Sequence, residues 1–382
     1  MDKVRIGVIG TGGMGSAHIH LIKGIEEVEL TAVCDVDEKV CERVSVENEV
    51  RGFVDYRELV DSGLVDAVIV ATPHYSHPPI SVYAMLHGLH VLSEKPVAAT
   101  VKAADAMNRA AQGTSLKFAV MYQRRTTPLY QAARKLIEEG RVGELYRTCC
   151  IDTHFRSKAY YDSAGWRATW KGEGGGVTIN QAPHGIDVFM SLGGLPSRVT
   201  AQTATRRHDI EVEDEASAML EYENGAIGYY HTSTTEAPTT EYMEFCGETG
   251  KLVISNGKLT LWTLEMPVQV FSDTSEGMWA SPRAVEEEIV LEERESGHAA
   301  VIRNFARSIL YDEPLITPGV EGIWTVEFIN ALILSGKKGR PVDIPVDHEE
   351  YEAFIEEMRR SSREKVRTGP DLRITDTSFA VS

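Results

Sequence analysis

The chain has 382 residues, 42% apolar and 25% charged, which allows one or two domains with a substantial core. A formal net charge of −18 disfavours nucleic acid and anionic membranes, since both need clustered cations, but it does not exclude a small ligand in a local pocket. Five cysteines (Cys34, Cys41, Cys149, Cys150 and Cys246) without CxxC spacing predict reduced thiols in a cytoplasmic protein, not a disulfide frame or a zinc ribbon.

The first strand is expected over Val4–Ile9, which leaves no room for a leader, and no uncharged apolar run is long enough to span a bilayer. Gly10-Thr11-Gly12-Gly13-Met14-Gly15 follows at once and opens a helix over Met14–Ile25. In such a turn Gly10 permits the tight bend and Gly12 lets a pyrophosphate approach the backbone. Gly15 lets the helix lie close to the strand, and the phosphates meet the helix N-terminus. The second strand, Leu30–Asp35, ends in a carboxylate 20 residues after Gly15, placed for the hydroxyls of a ribose. That charge would repel a 2′-phosphate, so NAD is favoured over NADP. Gly10, Gly12, Gly13, Met14, Gly15 and Asp35 form the candidate dinucleotide site.

The alternation continues through helix Asp37–Glu47, strand Ala67–Ala71, helix Ile80–His87, strand His90–Ser93, helix Val101–Ala111 and strand Lys117–Met121. This order implies a doubly wound parallel α/β sheet with right-handed crossovers. Glu94-Lys95-Pro96 falls just past a strand, at the carboxyl edge where such sheets bind ligands. The proline disfavours helical geometry at Lys95 and stiffens the turn.

A helix from about Pro128 to Glu139 leads into a different texture. From Leu145 onward strands dominate, with hairpins signalled by Asn224-Gly225 and Asn256-Gly257. Helices with an apolar stripe are expected at His184–Leu192, His298–Leu310 and Val320–Leu334. An α+β domain with a large, mainly antiparallel sheet follows, helices lying on one face. The boundary falls at residue 123, giving domains 1–123 and 124–382. Helix Tyr351–Arg360 precedes a polar tail from about residue 361. The acidic run Glu286–Glu288 reads as a solvated strand edge. Gly174-Gly175-Gly176 precedes Asn180, His184 and Asp187, the last two sharing a helix face. No third ligand stands at a fixed spacing from them, so no metal is expected.

In this order GTGGMG, Asp35, ATPHYSH (71–77), SEKP (93–96), MYQRR (121–125) and WRATWKGEGGGVTINQAPHGID (166–187) resemble the Gfo/Idh/MocA family of sugar and cyclitol oxidoreductases, over nearly the whole chain. The resemblance implies a Rossmann domain, then an open-faced sheet domain through which homodimers or homotetramers form. It implies NAD and hydride exchange between nicotinamide and a secondary hydroxyl of a sugar, glycoside, anhydrosugar or cyclitol. Lys95 matches the family's active-site lysine and His184 its acid/base histidine. Thr72, Pro73 and His77 fall in the loop along the dinucleotide, and Glu94 and Lys95 complete the expected cofactor site. Tyr122, Arg124, His154, Arg156, Trp166 and Arg167 offer donors and flat faces to a sugar. Asn180 and Asp187 would fix ring hydroxyls or the imidazole. Many inositol-type members carry aspartate where this chain has Asn180, and NQAPH looks more like members acting on pyranosides and anhydrosugars. Either His184 takes the alcohol proton while Lys95 steadies the developing alkoxide, or the roles are exchanged. An NADPH-dependent keto-sugar reductase and a non-catalytic NAD-binding regulator are the competing readings.

Overall fold

A computed structural model describes residues 2–363. Six strands, β1 (Val4–Ile9), β2 (Val28–Cys34), β3 (Arg51–Phe53), β4 (Ala67–Val70), β5 (His90–Ser93) and β6 (Phe118–Val120), form one parallel sheet. Their order is β3-β2-β1-β4-β5-β6, so the chain reverses direction across the sheet between β1 and β4. Ligands bind at that switch point, outside the carboxyl ends of the strands. The run Ala67–Val70 is buried throughout, as expected of a strand covered by helices on both faces. β3 and helix Tyr56–Asp61 are too short to carry a readable period and were not expected.

A second sheet holds nine strands: β7 (Leu145–Asp152), β8 (Arg198–Ala204), β9 (Glu215–Glu221), β10 (Ile227–Ser233), β11 (Glu241–Gly247), β12 (Gly250–Ser255), β13 (Lys258–Leu264), β14 (Ala284–Glu288) and β15 (Val342–Asp343). Their order is β14-β13-β12-β11-β7-β10-β9-β8-β15, and every neighbouring pair is antiparallel except β7 with β10. Both Asn-Gly hairpins form; at β12–β13 Asn256 (φ 51°) and Gly257 (φ 76°) take the left-handed backbone that a tight hairpin requires. Helices Val177–Asn180, Pro183–Gly193 and Gly322–Lys338 pack on one face. Among the described residues the other face is uncovered, with Met219, Ile227 and Tyr229 exposed. β14 is an edge strand exposed along its whole length, and it carries Glu286–Glu288.

Helix Gly297–Tyr311 returns to the first sheet, where Val301, Ile302, Phe305 and Ala306 share a core with Val4, Ile6 and Val8. Asn330, in helix Gly322–Lys338, accepts from Val101 N (3.1 Å) and donates to the Ala99 carbonyl (3.1 Å), tying the two sheets together. The polar tail lies outside the described residues beyond Arg363. Before that point, Ser362 Oγ and Arg363 N donate to the Glu211 carboxylate. Among the described residues no helix is long and apolar enough to cross a membrane.

Candidate active site

After β1 the chain turns through Gly10 (φ +86°) into helix Gly13–Ile22, so Gly13 and Met14 begin the helix. A Cβ on Gly15 would lie 1.8 Å from the Gly10 carbonyl oxygen, whereas one on Gly12 would meet nothing within 4 Å. The space over Gly12 is therefore open to a ligand. No side chain caps this helix and its first turn holds no acid, leaving the N-terminus suited to an anion. Asp35 stands just past β2, its Oδ2 accepting from Thr11 N (2.9 Å) and Thr11 Oγ1 (3.0 Å). Open glycine backbone for a pyrophosphate, with a carboxylate at the next strand end, fits a dinucleotide.

Thr72 lies against the Gly10 turn, with Pro73 exposed beside it. His77, expected along the dinucleotide, is almost fully buried. Its ring nitrogens lie 2.6 Å from the Thr72 carbonyl oxygen and 2.9 Å from that of Pro96. It braces the loop from behind, because both ring edges face main-chain carbonyls. Glu94 is likewise committed away from any ligand. Its Oε1 lies 2.7 Å from His18 Nε2 and its Oε2 accepts from Lys95 N at 3.0 Å. Burial alone would push the Glu94 carboxyl up, but its contact with His18 and the nearby Lys95 ammonium hold it down at about 2.

Lys95 reaches across to the second half of the chain, where its Nζ donates to the Asn180 carbonyl oxygen at 3.0 Å. One turn on, His184 sits in the first turn of helix Pro183–Gly193, its Nε2 3.4 Å from Gln123 Nε2. Burial, then the charges of Lys95 and Arg124, push this imidazole well below its usual range. Burial also lowers the Lys95 ammonium, opposed by Glu94 and Glu173. The Lys95 amine is thus held on a carbonyl four residues before His184, close enough for its charge to act on the imidazole.

Two expected substrate ligands are elsewhere engaged. Asp187 is 1% exposed, and its oxygens accept from Arg125 Nε (2.8 Å) and Nη2 (2.6 Å), so it can reach neither a sugar hydroxyl nor the imidazole. The His184 helix is buried along most of its length, and the side that Asp187 occupies faces a buried arginine. Tyr122 is also buried, its ring edge-on to His184 with centroids 6.4 Å apart, behind the imidazole.

Arg124, His154 and Arg156 line a polar cavity of about 370 Å³, together with Asp152, Thr240 and Asn256. Arg124 Nη1 is 3.2 Å from Glu241 Oε1 and 3.5 Å from Asp152 Oδ2, which is itself 3.4 Å from His154 Nε2. Trp166 is 42% exposed, with the Arg167 guanidinium 4.8 Å from its ring. Arg167 also bonds the Tyr160 hydroxyl, which accepts from Asn180 Nδ2 (3.2 Å) and Gln181 Nε2 (2.8 Å). Three residues around the pair escaped sequence reasoning. Glu173 and Asp152 carried readable signals, a lone charge inside a glycine run and the last inward position of an alternating strand; Gln123 carried none.

Two family models together match most of the chain: the oxidoreductase family with an NAD-binding Rossmann fold over residues 4–122, and the GFO/IDH/MocA C-terminal domain over residues 130–253. The chain belongs to the Gfo/Idh/MocA family. It is an oxidoreductase, and its glycine turn and Asp35 belong to an NAD-binding Rossmann fold. Levoglucosan dehydrogenase of Pseudarthrobacter phenanthrenivorans is 25% identical over 280 residues, covering 64% of this chain and 71% of that protein. The scyllo-inositol 2-dehydrogenase (NADP(+)) IolW of Bacillus subtilis is 27% identical over 226 residues, 58% of this chain and 61% of the relative. Among solved structures, the WlbA dehydrogenase of Bordetella pertussis in complex with NADH and UDP-GlcNAcA is 27% identical. It matches with a TM-score of 0.75 over 90% of this chain and 100% of its own.

Proposed function

We propose that this Gfo/Idh/MocA member is an NAD-dependent dehydrogenase oxidising a secondary hydroxyl of a sugar, glycoside, anhydrosugar or cyclitol, with Lys95 and His184 as the reacting pair. The observation that carries this reading is Lys95 Nζ bonded to the Asn180 carbonyl, one turn ahead of His184. When bound at the Gly10–Gly15 turn and Asp35, the cofactor supplies the hydride acceptor. The chain's own groups manage the proton. His184, kept neutral by burial, accepts it from the hydroxyl, and the Lys95 ammonium donates a hydrogen bond to the same oxygen as negative charge grows there.

Asn180 would orient a second hydroxyl. Its amide N–H groups are committed to Glu173 and Tyr160, which leaves Oδ1 as an acceptor. Arg124, His154 and Arg156 would meet further oxygens of the substrate in the polar cavity. The relatives that act on levoglucosan and scyllo-inositol support a polyhydroxylated ring. The carboxylate of Asp35 supports NAD over NADP. We divide the chain into domains at residue 123, with helix Gly297–Tyr311 returning to the first of them, take the open face of the nine-stranded sheet as the homo-oligomer interface, and assign the protein to the cytoplasm on its five free cysteines.

The test is an NAD-reduction screen over free pyranoses, glycosides, anhydrosugars and inositols, with the product carbonyl located by NMR. Tight NADH binding with no reduction by any of them would favour the regulator instead. Gly12→Ala is expected to fold with an unchanged Tm yet bind NADH roughly tenfold more weakly, since the added methyl fills only the space over the turn. Equal affinity in a fluorescence titration would take the turn out of cofactor binding.

A further inference from the structure

Lys95 is the charge this site must keep in order, because even a half-buried ammonium that has lost part of its water is costly unless it is paired. Two carboxylates favour its charged form, Glu94 and Glu173. Glu94 belongs to the lysine's own turn and is taken by His18 and the Lys95 main chain. Glu173 comes from the other half of the chain and is 1% exposed. One of its oxygens accepts from Ala168 N and the other from Asn180 Nδ2. Asn180 therefore touches both partners: its main-chain carbonyl takes the Lys95 N–H, and its side-chain amide donates to Glu173.

We infer that Glu173 is a positioning residue of the active site, its carboxylate acting through Asn180 to keep Lys95 a charged donor aimed at the substrate oxygen. The inference rests on Lys95 belonging to the reacting pair. Glu94 supplies negative charge from the lysine's own turn, and besides these two carboxylates the groups around the lysine supply none. Arg156 and Arg167 oppose it, and Asn180 contributes a dipole without charge. The imidazoles of His74, His77, His184 and His298 are all pushed down by burial and stay neutral near pH 7. A glutamine at 173 could still accept the Ala168 N–H, so a purely structural role would not need the negative charge.

Glu173→Gln separates the two roles. Removing the charge lets Lys95 lose its proton at lower pH, so the alkaline limb of kcat/KM is expected to move down by about one unit. Labelling of Lys95 by trinitrobenzenesulfonate, located by peptide mapping, should speed up about tenfold at neutral pH by the same conversion. NADH affinity, as the check on folding, should hold. In Glu173→Gln/Asn180→Asp a carboxylate returns on the opposite side of the same contact, and both midpoints are expected to recover. A folded Glu173→Gln protein with an unmoved labelling midpoint would overturn the inference, whatever its kcat. Should that variant not fold, the double variant carries the test: a parental midpoint supports the inference and a lowered one overturns it. Labelling reads the charge of Lys95 without turnover, so its failure is distinguishable from failure of the proposed reaction.

Discussion

Lys95→Met is expected to lower kcat by about 10²–10³-fold while NADH affinity stays within about twofold, the loss typical of removing one donor aimed at developing negative charge. Methionine keeps much of the apolar stem and removes the three N–H groups, one of which reaches the Asn180 carbonyl at 3.0 Å. The loss falls on kcat because the bond from the ammonium to the reacting oxygen strengthens as the proton leaves. His184→Ala is expected to cost a similar factor. The double variant should lose little more than either single one, because groups acting on one oxygen are not additive. NADH formation at saturating alcohol and NAD, with affinity from fluorescence titration, provides the measurement. Turnover within about threefold of the parent in either single variant would remove that residue from the pair.

Arg125→Met is expected to give the largest loss of stability, about 3–5 kcal/mol. Arg125 and Asp187 are each 1% exposed and share two hydrogen bonds, and Arg125 also pairs with Glu321. Burial pushes the Asp187 carboxyl up and the arginine pulls it back. Without the guanidinium, a carboxylate remains buried with nothing to balance it. A drop in Tm of roughly 5–10 °C should follow, far beyond what an exposed pair such as Lys258–Glu288 contributes. Arg125→Met/Asp187→Leu should recover most of the loss, because an apolar pair carries no desolvated charge. Melting followed by circular dichroism decides it; a single variant within about 2 °C of the parent would mean the pair does not hold the His184 helix.

Much of the first sheet was legible because its signals are local. Val4–Ile9 and His90–Ser93 form as expected, and the glycine turn and Asp35 stand where the second strand's length places them. The Asn-Gly hairpins read as directly. The site was legible only in part. Lys95 and His184 lie about ninety positions apart in a chain whose motifs occur in a recognisable order, and the family resemblance brought them together before any geometry did. The environments of His77, Glu94, Tyr122 and Asp187 were not legible, since each depends on groups brought in by tertiary packing. Asp187 and His184 share a helix face by spacing, yet the aspartate meets Arg125 and the histidine meets Gln123.

Backbone chemistry and short-range periodicity, written into the residue order, were enough to specify the parallel Rossmann sheet, its phosphate turn and the strand-rich second half. Packing alone decided the rest: which carboxylates are consumed inside the protein, that Gly297–Tyr311 folds back onto the first sheet, and that Glu173 lies against Asn180. Period and turn type depend on a few adjacent residues. Burial and ion pairing depend on whichever distant segment arrives to exclude water, and that exists only in the folded chain.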